Sequence, residues 1–183
     1  MQPDAEAILL DVLASYSDAD KWVDTPFEAI KRLSNTKVGD AGQDFVERLC
    51  DELGFEAEFP EHPEGKGRQR QSPWDIRIES VTFELKTATE DVGGSFQFNH
   101  IRYHRAYEAL LCVGISPDQI EFDAWSKAAV ATGEAGHLVS MEKGGSVSHK
   151  LAKRRGKLRP IHEFENHILD LVAAIDQHRR ESS

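Results

Sequence analysis

Pro73-Trp74-Asp75-Ile76-Arg77-Ile78-Glu79-Ser80-Val81-Thr82-Phe83-Glu84-Leu85-Lys86 alternates apolar and polar side chains on either side of Glu79-Ser80. That is the pattern of two strands joined by a tight turn. Strand side chains point alternately to opposite faces, so Ile76, Ile78, Val81, Phe83 and Leu85 share one face. Asp75, Arg77, Thr82, Glu84 and Lys86 share the other. A two-residue turn pairs 78 with 81, 77 with 82, 76 with 83 and 75 with 84. Asp75 and Glu84 are then opposed, with Lys86 one step beyond. Like charges opposed on a sheet repel. Such a pair persists where a cation sits between the oxygens or where one carboxyl keeps its proton. Mg²⁺, with Mn²⁺ as a substitute, suits the first case, because it takes carboxylate oxygens and keeps several waters. The plain alternative is a solvated strand face carrying a Glu–Lys pair.

These residue types fit phosphodiester hydrolysis. Asp75 and Glu84 would hold the ion, which polarises a phosphate and acidifies water. Lys86 would stabilise growing negative charge and help orient that water. The motif Pro73-Trp74-Asp75 followed by Glu84-Leu85-Lys86 resembles the PD-(D/E)xK nuclease superfamily, with a Trp standing between the Pro and the Asp. Members often carry a carboxylate on the helix before the catalytic hairpin. The similar local pattern here, Gly39 to Glu47, makes either Glu47 or Gln43 the residue that assists, Gln43 standing where relatives carry Glu. A solvated helix face is the other reading of Glu47.

Downstream, Ser95-Phe96-Gln97-Phe98-Asn99-His100-Ile101-Arg102 resembles the segment that follows the Glu-x-Lys strand in bacterial type II restriction endonucleases and leads there into a helix. The resemblance, over roughly 38–117, implies that Gln97, Asn99, His100 and Arg102 contact DNA, since amides and Arg read base edges or hold phosphates. Gln97 could instead position the water or the lysine, and Asn99 could cap a helix. His100 and His104 are spaced to share a face of that helix. A Gly-Gly-bearing loop similar to one in the related enzymes spans about 136–160. Its Lys143, Ser146, Ser148, His149, Lys150, Lys153, Arg154 and Arg155 are candidate phosphate contacts; a solubilising surface loop is the alternative.

Elsewhere the chain has clear periodicities. Residues 4–16 and 41–53 have apolar side chains at helical spacing, with Gly54 as the stop of the second helix. Thr25-Pro26-Phe27-Glu28 is a helix start with a capping box, running to about Leu33, and residues 35–42 read as a polar connection. Phe55–Phe59 alternates as an edge strand. Residues 60–72 form a loop bearing Lys66, Arg68 and Arg70, either near a DNA backbone or simply on the surface. Tyr107–Ile115 is a continuous apolar run, as in a buried central strand. Ile120–Trp125 alternates again, and 126–131 is helix-prone up to Gly133. Ile161 to about His178 is a closing amphipathic helix, whose surface should hold His162 and His167; 179–183 should fray.

The 183 residues are 39% hydrophobic, enough for one sizeable core, and the expectation is a single domain. Its parts are a helical region at about 1–53, a catalytic core at about 54–133, the basic loop and the closing helix. The net charge of −10 is unevenly spread: residues 1–60 carry 5 basic and 14 acidic side chains, whereas Lys143–Arg159 holds seven basic ones and no acid. Such a local patch can meet phosphates inside an acidic protein. The chain has no long uncharged apolar run and no basic signal-like start, which points to the cytoplasm. Cys50 and Cys112 fall in apolar patterns and read as core thiols, although two cysteines could form one bridge. There is no zinc-type Cys/His cluster, Walker motif or GxSxG elbow.

The order of elements fits an α/β restriction-endonuclease-like core, a mixed sheet flanked by helices. The resemblance implies a Mg²⁺-dependent, sequence-specific endonuclease acting on double-stranded DNA, of the type II restriction class. It implies a homodimer if the target is palindromic, a cognate DNA methyltransferase as genetic partner, and no nucleotide cofactor. A repair or junction-resolving nuclease of the same fold and a catalytically silent DNA-binding module are the alternatives.

Overall fold

The hairpin forms in the expected register. A computed structural model describes Val12 and residues 21–60, 72–141 and 147–182. In it, strand β2 (Ile76–Ile78) and strand β3 (Val81–Thr89) are antiparallel, with Ile78 opposite Val81, Arg77 opposite Thr82 and Ile76 opposite Phe83. Asp75 extends the ladder, its N–H donating to the Phe83 carbonyl at 2.8 Å. Glu79 turns the chain with a left-handed φ of 52°, uncommon for a residue with a Cβ. Two bonds to Glu56 hold it there: the Glu79 N–H donates to the Glu56 carbonyl at 2.7 Å, and the Glu79 carboxylate accepts from the Glu56 N–H at 2.9 Å.

Around the hairpin runs a six-stranded mixed sheet. Strand β1 (Ala57–Glu58) is the edge beside β2, as the alternation predicts. Strand β5 (Ala109–Ile115) lies parallel to β3 and is buried at every position. Strand β6 (Ile120–Ser126) and the short β9 (Arg159–Pro160) follow antiparallel. Helices α1 (Asn35–Leu53) and α3 (Phe164–Glu181) pack on one face, where Val46, Cys50, Phe83, Leu111, Phe122, Phe164 and Ile168 form a core. The expected mixed sheet flanked by helices is the architecture found.

A layer the sequence did not suggest covers the opposite face. Strands β4 (Ser95–Ile101), β7 (Val139–Ser140) and β8 (His149–Arg154) form a second sheet in the order β4-β8-β7. Its Phe96, Phe98, Ile101 and Leu151 pack on Ala88, Leu110 and Cys112 of the large sheet and on Val130 of helix α2 (Lys127–Thr132). The contact is close: a Cβ on Gly114 would lie 2.9 Å from the Phe96 ring. The expected helix after 95–102 is therefore a strand, Asn99 caps nothing, and His100 and His104 share no helix. The expected basic loop at 136–160 holds three strands in its described residues. Strand period was hidden because an inward position of β8 is Lys153, whose ammonium lies 5.1 Å from the centre of the Trp125 ring.

Other boundaries moved for local reasons. Residues 35–42 are the first turns of α1, not a connection, with the Ser34 hydroxyl accepting from the Lys37 N–H at 3.4 Å. Gly42 marks a close approach to β3: a Cβ there would lie 1.8 Å from Thr87 Oγ1. Gly54 ends α1 at φ 78°, as expected. The expected capping box does not form, because the Thr25 hydroxyl donates to the Trp22 carbonyl at 2.6 Å, and Glu28–Arg32 is a 3-10 turn. Helix α3 runs to Glu181 and does not fray at Arg179, which pairs with Glu108 and donates to the Ser80 carbonyl at 3.0 Å. His167 is half-buried, not fully on the surface: its Nε2 lies 2.9 Å from the Ala124 carbonyl and 3.3 Å from Asp123, which raises its pKa. The expected first helix lies outside the described residues except Val12. Both cysteines are free and buried. No described helix is long and apolar enough to cross a membrane.

Two outcomes follow. Helix propensity alone favours Gly42→Ala by about 1 kcal/mol, but the clash with Thr87 should make it destabilising by about 1–3 kcal/mol in urea unfolding. Partial burial alone would raise the Glu108 pKa, but bonds from Arg179 and Thr82 lower it below the ordinary 4.5. A depressed carboxylate contributes stability that is present above its unfolded pKa and lost as pH falls through the folded one. Arg179→Gln should therefore destabilise the chain at about pH 7 and cost progressively less as unfolding is measured at more acidic pH.

Candidate active site

Hairpin register brings Asp75, Glu84 and Lys86 together on the face turned toward the small sheet. Lys86 Nζ lies 2.7 Å from Glu84 Oε1 and 3.5 Å from Asp75 Oδ2. Asp75 Oδ2 also accepts from the Leu85 N–H at 3.0 Å, which fixes that carboxylate across the hairpin. Glu84 is 0% exposed. An ionised carboxylate so far from water is expensive unless it is paired and hydrogen-bonded.

The pairing comes partly from residues that the strand pattern could not reveal. Arg105 Nη1 stands 3.9 Å from Asp75 Oδ1 and 4.0 Å from Glu84 Oε2, and its side chain is only 11% exposed. Arg102 Nε is 3.7 Å from Glu84 Oε1, and the Arg102 N–H donates to the same oxygen at 3.4 Å. Among the described residues, Glu84 Oε2, Arg105 Nη1, Arg102 Nε and the Tyr107 hydroxyl are buried without a hydrogen-bond partner. Burial, and then the nearby Glu84, push the Tyr107 phenol upward, so it stays a neutral donor. Arg105 and Tyr107 lie in an irregular segment between β4 and β5; the apolar run marks Tyr107 as core, and no periodicity flags Arg105. Only Arg102 was singled out by sequence.

Asp75 and Lys86 line a cleft of about 640 Å³ between the layers. Its helical wall is the start of α1, with Asn35, Asp40 and Gln43; its other wall is β4, with Gln97, Asn99 and His100, and then Arg102 just beyond the strand. Of the two expected helix residues, Gln43 lines the cleft and Glu47, one turn further along, does not. The basic candidates divide differently. Arg154 is exposed, Lys150 and His149 are half-buried, and Ser148 is buried. Lys153 faces inward to Trp125, and Arg155 pairs with Asp118 at 2.6 Å. None of these six lines the cleft. Lys143 and Ser146, with Lys66, Arg68 and Arg70, lie outside the described residues.

The donor set fits a hard divalent ion in one particular way. No group of three or more His, Cys, Asp and Glu side chains able to hold a metal occurs among the described residues. Asp75 and Glu84 supply two carboxylates, and Glu84 Oε2 is an unsatisfied buried acceptor. That suits Mg²⁺, which commonly uses one or two carboxylates and completes its shell with water and substrate phosphate. It does not suit a closed all-protein cage.

Removing the nearest cation exposes the cost of burying Glu84. Lys86→Met should destabilise the chain by about 3 kcal/mol, in the range found when one partner of a buried ion pair is deleted. Adding Glu84→Gln, which removes the stranded charge, should recover most of that loss in the same denaturation measurement.

No protein-family model matches the chain, and no curated protein matches it. Among solved structures, one similar to this chain is a bacterial homing endonuclease, I-Ssp6803I, at 15% sequence identity and a TM-score of 0.45, over 82% of this chain and 99% of that one.

Proposed function

We propose that the protein is a divalent-metal-dependent deoxyribonuclease of the PD-(D/E)xK kind. The observation that carries the reading is the convergence of Asp75, Glu84 and Lys86, from two adjoining strands, within 2.7–3.5 Å of the lysine nitrogen beside an open cleft. Asp75 and Glu84 would hold Mg²⁺, or Mn²⁺ in its place. Bound there, the ion would supply Lewis-acid stabilisation of a phosphate oxygen and a more acidic water.

The chain's own groups do the rest. The Lys86 ammonium stabilises charge that builds on the phosphoryl oxygens as a water oxygen adds to phosphorus and the bond to the leaving sugar oxygen breaks. Arg102, at the cleft wall, provides a further cation for a flanking phosphate. The Leu85 N–H holds Asp75 in place, so the carboxylate needs little reorganisation when substrate arrives. Double-strand cleavage at a palindrome requires two such sites related by a two-fold axis, so the site-specific restriction form of this reading is a cytoplasmic homodimer with a methyltransferase partner.

One observation favours a second reading. Lys86, Arg102 and Arg105 already surround the two carboxylates, and a neutralised knot of this kind could hold a DNA-binding module together without chemistry. Incubation of supercoiled plasmid and phage DNA with Mg²⁺ separates the two. Cleavage should be abolished by EDTA, and Lys86→Ala or Asp75→Asn should slow it by about a hundredfold or more. Mn²⁺ should raise the melting temperature of the wild type and not that of Glu84→Gln. Intact DNA in every divalent ion, with no thermal shift, would leave only the binding module.

A further inference from the structure

Strand β4 is the edge of the small sheet, and its outward residues flank the cleft. Phe96 and Phe98 point into the core, while Gln97 and Asn99 are exposed. Pairing with β8 then slips between Phe98 and Ile101. This bulge, with His100 at φ 58°, puts two consecutive residues, Asn99 and His100, on the exposed side. Bulges beside active sites commonly re-aim side chains in this way. Three hydrogen-bonding side chains thus stand in a row along one wall.

Gln97 differs from the other two in being oriented. Its Nε2 donates to Asp91 Oδ2 at 3.1 Å, while Asp91 Oδ1 accepts from the Ser95 N–H at 2.9 Å. The Ser95 bond is the largest of several influences that hold the Asp91 pKa below the ordinary carboxylate range, so Asp91 is ionised at neutral pH. An ionised carboxylate can only accept. The side of the Gln97 amide facing Asp91 must therefore be NH₂. That leaves its Oε1 and its second N–H, on an exposed side chain lining the cleft, for another partner. One acceptor beside one donor is the pattern that matches the N6 amino group and N7 of adenine in the major groove.

We propose that Gln97 reads an adenine in the major groove of duplex DNA beside the cleft, with Asp91 as the positioning residue that sets the polarity of its amide. The proposal rests on the nuclease reading only in taking duplex DNA as the ligand. Asp91→Asn keeps an oxygen for the Ser95 N–H but turns an amino group toward Gln97, which makes the Gln97 amide reverse. The reversed amide presents donors outward and favours bases that offer acceptors, guanine among them.

Selection from a randomised duplex library, with Ca²⁺ replacing Mg²⁺ to block cleavage, tests this on the full chain. Wild type should enrich a motif containing an adenine whose replacement weakens binding by about ten- to a hundredfold. Gln97→Ala should lose preference at that position alone. Asp91→Asn should shift it toward guanine, and Asp91→Ala should relax it without a new preference. A merely structural role for Asp91 would weaken all positions together and overturn the proposal. So would an unchanged motif in Asp91→Asn, or enrichment of no sequence. Cutting without selectivity would sink base reading and spare the nuclease; selective binding without cutting in Mg²⁺ would do the reverse; no duplex binding would end both.

Discussion

Burial of the Glu84 charge is the constraint that most of this structure answers to. A carboxylate with no water contact has to be surrounded by cations and donors, and those come from separate parts of the chain: Lys86 from the same strand, Arg102 and Arg105 from the segment leading into β5. Their convergence depends on β3 lying parallel to β5, with Glu84 beside Leu110 and Lys86 beside Cys112. A parallel pair needs a long crossover. Here the crossover contains β4 and the arginines, so the same stretch of chain that closes the topology also neutralises the site.

The large sheet serves two cores at once. On the helical face, Gly42 lets α1 approach β3 at Thr87; on the other, Gly114 lets the Phe96 ring lie against β5. Both contacts fix how far each layer stands from the sheet that carries the acidic pair. The cleft lies where these layers diverge, with α1 on one side and β4 on the other. Packing on both faces of one sheet therefore helps to set its width.

How much of this was legible follows from which physical signals are local. The hairpin could be read to the residue because strand period and a two-residue turn leave one register that buries five apolar side chains together. The run 107–115 marked the central strand because an unbroken apolar stretch needs burial on both faces. The start of α1 was obscured because Gly39 and Gly42 look like loop residues, whereas Gly42 answers to Thr87, far away in sequence. The small sheet was obscured because β8 spends an inward position on Lys153, whose cation–π contact with Trp125 no alternation rule anticipates. Arg105 and Tyr107 lie in the irregular segment before β5, and only tertiary structure puts them beside Glu84. The site was thus half visible: the two acids and the lysine by pattern, Arg102 only as an expected DNA contact, and Arg105 not at all.

The two thiols sit one in each core, Cys50 between α1 and the sheet and Cys112 between the two sheets. Burial pushes the Cys50 thiol up to about 12 and raises that of Cys112 as well, so neither is a reactive thiolate in the closed molecule. Each becomes alkylatable only when its own layer lifts away from the sheet. The native chain therefore carries a built-in pair of labelling reporters, whose separate modification rates distinguish opening of the helical layer from opening of the β4 layer.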